Sequence, residues 1–101
     1  MNALETAQLY FNLSNTSDFD GIAQLMTLDT QYKSVTTGEF HGVAAILDMQ
    51  KVFHGKFSKL HWKVNSISHI DENTVCFDYD FTGTKDDGEH VASTGLEYIT
   101  V

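Results

Sequence analysis

The stretch Val75-Cys-Phe-Asp-Tyr-Asp-Phe-Thr82 decides the fold class of this sequence. Four apolar side chains alternate in it with four smaller or polar ones: Val75, Phe77, Tyr79 and Phe81 against Cys76, Asp78, Asp80 and Thr82. Strict alternation over eight residues is typical of a strand with one face in a core and the other toward solvent. We therefore expect these four apolar side chains to point inward from a sheet.

The segments on either side of this strand have the same period. Leu60, Trp62 and Val64 alternate with polar residues, and a turn at 71–73 separates them from the central strand. A charged tip at 85–88 leads into a third strand from His90 to Val101. Consecutive strands joined by short turns predict an antiparallel meander in the second half of the chain.

The first half of the chain has helical periodicity instead. Apolar residues recur at three- and four-residue steps over 3–14, and a short helix is predicted after the capping pattern Ser17-x-x-Asp20. A third helix is predicted from Val43 to about Phe53, where His54-Gly55 ends it. Residues 30–36 are predicted to form a strand, and 39–41 a tight connection between two glycines. The pattern predicts an α+β fold with helices covering one face of a curved sheet.

Length and composition limit the classes of function. The 101 residues fit one domain, 42% of them are hydrophobic, and the net charge is −8. So acidic a chain argues against nucleic acid or an anionic membrane as a partner, because phosphate binding needs clustered cations. No apolar run has the length of about 20 residues that a membrane span needs. Cys76, the only cysteine, fits a reducing compartment, and we expect a cytoplasmic protein.

Neither a metal nor a cofactor is expected from the motifs. No phosphate loop, serine elbow or dinucleotide fingerprint occurs. The five histidines have no spacing typical of a metal site: His41, His54, His61, His69 and His90. At a helix C-terminus, His54 is expected to be partly protonated, since the helix dipole favours a cation there.

Three short motifs resemble the ketosteroid isomerase and SnoaL-like polyketide cyclase branch of the nuclear transport factor 2-like superfamily. The first is Asp18-Phe19-Asp20-Gly21-Ile22, which follows a helix bearing Tyr10. The second, Gly42-Val43-Ala44-Ala45-Ile46, is similar to the start of the family's third helix, and the third is the strand end Thr82-Gly83-Thr84. The three motifs follow in the family's order, and together they extend over nearly the whole chain.

The resemblance implies one SnoaL-like, ketosteroid isomerase-like domain over residues 1–101. Such a domain is a cone, in which a curved antiparallel sheet is wrapped by three N-terminal helices around a mostly apolar cavity. Members usually end with a further strand, whereas this sequence stops at Thr100-Val101. We therefore expect a trimmed fold or an open edge, and an open strand edge favours pairing with a second copy as a homodimer.

The resemblance also implies the positions of catalytic groups. Tyr10 matches a tyrosine that donates a hydrogen bond to an oxyanion, and Glu97 matches a protonated acid on a late strand. The general base of the isomerases falls on Ser34, whose hydroxyl cannot move a carbon-bound proton near neutral pH without a base of its own. Ketosteroid isomerase activity itself is therefore not expected. His41, near the predicted cavity mouth, is a further candidate acid or base.

Glu97 also stands out from the residues alone, since it alternates in step with Gly95 and Ile99 on an apolar face. Burial there would raise the pKa of its carboxyl. The alternative is that Glu97 lies at an edge and pairs with lysine or water. Tyr10 is likewise either a donor or an ordinary core aromatic.

A ring of aromatic side chains is expected to line the cavity and to bind a small apolar or aromatic molecule: Tyr32, Trp62, Phe77, Tyr79 and Phe81. The alternative is that these rings fill the core. Two hypotheses on function follow. The protein either binds an apolar metabolite, with isomerase-, cyclase- or hydratase-like proton transfer, or is a non-catalytic carrier or interaction module of the same fold.

Overall fold

The computed structural model describes residues 2–35 and 37–101. Three helices and five strands follow in the order α1 (Ala3–Asn15), α2 (Phe19–Leu25), β1 (Gln31–Ser34), β2 (Gly38–His41), α3 (Val43–His54), β3 (Phe57–His69), β4 (Thr74–Lys85) and β5 (His90–Thr100). The strands form one sheet in the order β2-β1-β5-β4-β3, and each neighbouring pair is antiparallel. The α+β architecture predicted from the periodicity is confirmed.

The helices cover the inner face of the sheet. Helix α1 is capped at its N-terminus by Asn2, whose side chain accepts a hydrogen bond from the Glu5 amide at 2.8 Å. Its apolar stripe lies over β4, where the rings of Phe11 and Phe77 meet edge to face with centroids 4.2 Å apart. Phe77 is 1% exposed and Trp62 is 8% exposed, as the strand period predicts. The core therefore lies between the helices and the inner sheet face.

Local details differ from the sequence predictions at three places. The N-cap of α2 is Asp18 and not Ser17, since the Asp18 carboxylate accepts from the Gly21 amide at 2.9 Å. Residues 39–41, expected as a connection, belong to strand β2 because they pair with β1. The strand expected over 30–36 is shorter at Gln31–Ser34, and Thr36 lies outside the described residues.

The position of β5 corrects the argument for an open edge. Although β5 contains the last strand residues of the sequence, it lies inside the sheet between β1 and β4. The edges are β2 and β3 instead. The edge of β3 is covered at Trp62, whose backbone N–H donates to Asn15 Oδ1 at 2.8 Å while its carbonyl accepts from Asn15 Nδ2 at 3.1 Å. Among the described residues, no helix is long and apolar enough to span a membrane.

Candidate functional site

A buried carboxyl group lies at the centre of the inner sheet face. Glu97 on β5 is 5% exposed and pairs across the sheet with Ser34 on one side and Phe77 on the other. The Tyr32 hydroxyl donates a hydrogen bond to Glu97 Oε1, and the Tyr79 hydroxyl also bonds this carboxyl. Burial raises the pKa of Glu97 to about 7, although the two phenol hydrogen bonds oppose that rise. Glu97 therefore exchanges its proton near neutral pH.

The tyrosines around Glu97 stay neutral. Tyr10 is 2% exposed and Tyr32 is 3% exposed, and their ring centroids are 6.2 Å apart. Burial first, and then the nearby Glu97 charge, raise the pKa of both phenols well above the usual value of 10.0. Both groups are therefore hydrogen-bond donors at any physiological pH, which is the property an oxyanion-binding group needs.

The side chain of Tyr79 passes over Gly95 to reach Glu97. Tyr79 and Gly95 are direct partners in the β4–β5 register, and Glu97 is two residues further along the same face. A methyl group at position 95 would overlap Oη and Cζ of Tyr79 and would lie 2.8 Å from its Cε1. The phenol therefore occupies the space that a side chain at 95 would take.

A second polar chain runs from the surface to Tyr10. The Ser17 hydroxyl lies 2.8 Å from His54 Nδ1, and His54 Nε2 lies 2.8 Å from Gln50 Oε1. Gln50 Nε2 in turn donates to the Tyr10 hydroxyl. Since an amide oxygen only accepts, His54 carries its proton on Nε2 and accepts from Ser17 at Nδ1. The Tyr10 oxygen is thus an acceptor for Gln50.

His54 corrects an expectation from the sequence. It is the last residue of α3, but its imidazole is buried between Phe19 and Trp62, with ring centroids 5.0 and 5.2 Å away. Burial lowers the pKa of His54 to about 4, so the ring is neutral at pH 7. Removal from water outweighs the helix dipole at this position.

The polar groups border a recess between α3 and the sheet. Its volume is about 70 Å³, and its walls combine aromatic rings with hydroxyl, amide and carboxyl groups: Tyr32, Thr37, Met49, Gln50, Phe53, Trp62, Tyr79, Phe81, Ser93 and Glu97. Outside it, across Met49 and Phe53, an apolar surface groove of about 520 Å³ runs along α3 to Lys56. The two spaces share Thr37, Met49 and Phe53.

The structure brings most of the predicted site residues together. Tyr32, Trp62, Tyr79, Phe81 and Glu97 line the recess. Two predicted residues lie behind these walls: Tyr10 in the layer of α1, hydrogen-bonded to Gln50, and Phe77 against Phe11.

His41 is placed elsewhere. It is exposed on β2, opposite Gln31, while its neighbour Phe40 turns inward to Tyr32 with ring centroids 6.1 Å apart. His41 therefore lies on the other sheet face from Glu97 and does not share a space with it. Residues 39–41 form a strand and not the expected connection, and the alternation of side chains along β2 accounts for this difference.

Six residues of the site were not proposed from the sequence, and two of them, Thr37 and Ser93, lie outside α3. Gln50, His54, Met49 and Phe53 all lie on the side of α3 that faces the sheet. One signal was present, because Gln50 is a polar residue on the apolar side of the predicted helix.

Among residues 2–35 and 37–101, no three His, Cys, Asp or Glu side chains are grouped so that they could hold a metal ion.

Comparison with known proteins identifies the family. Residues 7–101 match the family model of the SnoaL-like domain, and the chain belongs to that family. No curated protein matches this sequence.

Solved structures show the same fold at low sequence identity. An LEH-like epoxide hydrolase of Mycobacterium tuberculosis is 16% identical with a TM-score of 0.77, over 98% of this chain and 72% of that one. The Δ5-3-ketosteroid isomerase of a Mycobacterium species is 15% identical, with a TM-score of 0.76 over 98% and 82%. A further M. tuberculosis protein, crystallised with estradiol-17β-hemisuccinate, is 18% identical, with a TM-score of 0.75 over 98% and 82%. The fold is therefore that of the nuclear transport factor 2-like superfamily.

Proposed function

We propose that this protein binds a small, flat, mostly apolar molecule with a carbonyl or enol oxygen, and that Glu97 moves a proton on it. The observation that carries this proposal is the buried carboxyl of Glu97, which Tyr32 and Tyr79 hydrogen-bond and whose pKa burial raises to about 7. A general acid or base works best when its pKa is near the working pH. The structurally similar protein that was crystallised with a steroid ester supports a flat ligand by analogy of fold.

The chemistry follows from the charges of the groups. As a carboxylate, Glu97 would take a proton from a carbon next to the substrate carbonyl, while a neutral phenol donates a hydrogen bond to the developing enolate oxygen. The same carboxylic acid would return the proton to another carbon of the enolate, so the net reaction is an isomerisation. Ser34, beside Glu97 on β1, supplies no second carboxylate, so Glu97 is the acid–base group in this proposal.

The size of the recess sets a condition on binding. A volume of about 70 Å³ holds about two water molecules, whereas pockets for drug-sized molecules have about 300–1,000 Å³. An aromatic ligand therefore needs a side chain to move, and Met49 is suited to this because its unbranched chain has three rotatable bonds. The bulk of a larger ligand would then extend into the apolar groove along α3.

The alternative is a non-catalytic carrier or interaction module. It is supported by the same small volume, because aromatic side chains already fill most of the space that a ligand needs. A bound ligand without turnover would favour the carrier, and neither ligand nor turnover would favour the interaction module.

The test combines ligand identification with two variants. Small molecules extracted from the purified protein are identified by mass spectrometry, and a panel of enolisable cyclic ketones is tested for proton exchange with deuterated water. We expect Glu97→Gln to abolish exchange and to leave binding of apolar ligands largely intact. His41→Ala, on the other sheet face, is the control and should exchange at the rate of the parent. Unchanged exchange in Glu97→Gln would refute the assignment of Glu97.

We further propose a homodimer that forms through the outer sheet face, in a cytoplasmic protein. The outer face presents Lys63 opposite Asp80 in the β3–β4 register, with His61 and Asp78 on either side. Both signs of charge on one face allow a second copy to pair with it in a two-fold arrangement. The cytoplasmic location rests on the single cysteine, Cys76.

A further inference from the structure

Glu97 is the working carboxyl of the proposed function, and the inference below rests on that role. The second phenol that hydrogen-bonds this carboxyl belongs to Tyr79 on β4. Its direct neighbour on β5 is Gly95.

The side chain of Tyr79 extends along the sheet to reach Glu97. Its direct cross-strand partner is Gly95, whereas Glu97 pairs with Phe77. A ring standing upright on the sheet would leave the hydroxyl far above the carboxyl. The Tyr79 ring instead lies flat over the neighbouring strand β5. Its Oη and Cζ occupy the place where Cβ of residue 95 would be.

We propose that Gly95 is a positioning residue, which keeps the surface of β5 open so that the Tyr79 hydroxyl can hydrogen-bond Glu97. The carboxyl then has two phenol donors, Tyr32 from β1 and Tyr79 from β4, one from each neighbouring strand. Glycine within a strand weakens the sheet, and it commonly marks a close approach by another group. Here the group is a catalytic partner of Glu97.

A substrate would use this arrangement. When its oxygen enters the recess, one phenol has to turn from Glu97 to the ligand. Tyr79 lines the recess, and its ring rests on a strand surface without a side chain, so its hydroxyl has a short path between the two acceptors. Gly95 would thus allow the hydrogen bond from Tyr79 to Glu97 in the absence of ligand. It would also leave the Tyr79 hydroxyl free to turn to the ligand.

The test is a mutant cycle read by carboxyl-carbon NMR titration of Glu97, with Gly95→Ala, Tyr79→Phe and the double variant. Tyr79→Phe removes a hydrogen bond that lowers the pKa of Glu97, so the pKa should rise by about one unit or more. Gly95→Ala displaces the ring and should give a rise of similar size. The double variant should rise no further, since both changes remove the same bond.

A matched control is Gly83→Ala on β4, where a methyl group would meet the Phe57 ring at 2.7 Å. This variant also crowds an aromatic ring on the sheet, but it should leave the pKa of Glu97 unchanged. If Gly95→Ala leaves that pKa unchanged while Tyr79→Phe raises it, Gly95 does not position Tyr79 and the inference is wrong. If Tyr79→Phe itself has no effect, the proposed hydrogen bond to Glu97 is wrong too.

If Gly95→Ala does not fold, a second comparison keeps the inference testable. In the Tyr79→Ala background the ring is absent, so adding Gly95→Ala should give a folded protein with a melting temperature close to that of Tyr79→Ala alone. Failure to fold in that background as well would refute a clash with Tyr79. None of these measurements uses a ligand, so a negative result for turnover or binding affects the proposed function separately.

Discussion

Two buried ionisable groups, one acidic and one basic, should partly cancel each other in the pH dependence of stability, and single substitutions should reveal the contribution of each. Glu97 has a pKa of about 7 in the fold against 4.5 for the free group, while His54 has about 4 against 6.5. Between pH 4.5 and 6.5 the folded chain therefore keeps one more proton on Glu97 and one fewer on His54 than the unfolded chain.

The signs follow from proton linkage. The stability that protonated Glu97 gives is fully present below its unfolded pKa and is lost as pH rises through 4.5 to about 7. The stability that neutral His54 gives is present above 6.5 and is lost as pH falls toward about 4. Each pKa unit corresponds to about 1.4 kcal/mol, so the Glu97 contribution amounts to about 3 kcal/mol. The opposite contribution of His54 is smaller, about 2 kcal/mol, because its ring at the end of α3 is less deeply enclosed than the Glu97 carboxyl.

The assay is urea unfolding between pH 4 and 8, followed by far-ultraviolet circular dichroism. Trp62 fluorescence is less suitable, because the His54 ring lies 5.2 Å from the indole and its charge would quench the signal. We expect the free energy of unfolding of Glu97→Gln to gain about 3 kcal/mol relative to the parent as pH rises from 4.5 to 7.5. His54→Phe, which retains the ring contacts, should instead lose stability relative to the parent over the same range.

An exposed carboxyl provides the control. Glu5→Gln on α1 removes the same charge from an exposed side chain, and its free energy of unfolding is measured over the same pH range as the reference. A Glu97→Gln difference that is flat to within about 0.5 kcal/mol over the same range would refute the reasoning. It would mean that water reaches the carboxyl of Glu97, and the proposed acid–base role would then lose its physical basis.

Two other predictions concern packing and assembly. Phe77→Ala should lower the free energy of unfolding by about 3–5 kcal/mol, because it removes the ring that packs against Phe11 and leaves a cavity in the core. A melting temperature within a degree or two of the parent would contradict the inward orientation of the Phe77 side chain. Light scattering at about 100 μM should give twice the monomer mass, and Asp80→Lys should return the protein to monomers if the outer face forms the interface. A monomer mass for the parent would refute the homodimer.

Much of the fold could be predicted from the sequence because it depends on local periodicity. The alternation from Val75 to Thr82 was enough to place Phe77 inside, and the helical steps over 3–14 and 43–53 located two of the three helices. Glu97 could be recognised as well, since a carboxyl in step with Gly95 and Ile99 stands on an apolar face. These features depend on which way a side chain points from its own strand or helix.

The tertiary structure decided which of those side chains meet. The order of the strands places β1 beside β5, which brings the Tyr32 hydroxyl to Glu97, 65 positions later in the sequence. The same order places β5 inside the sheet, with β1 on one side and β4 on the other. It also makes 39–41 a strand, which turns His41 away from the site.

The protonation of the site was likewise decided by packing. His54 has the same place at a helix end in the sequence and in the structure, yet its burial between Phe19 and Trp62 makes it neutral. Gln50 hydrogen-bonds Tyr10, which is 40 positions away in the sequence, and Gly95 lies opposite Tyr79, which is 16 positions away. Periodicity determines the face on which a residue lies, but strand register and helix packing determine its neighbours. Hydrogen bonds and pKa values depend on those neighbours.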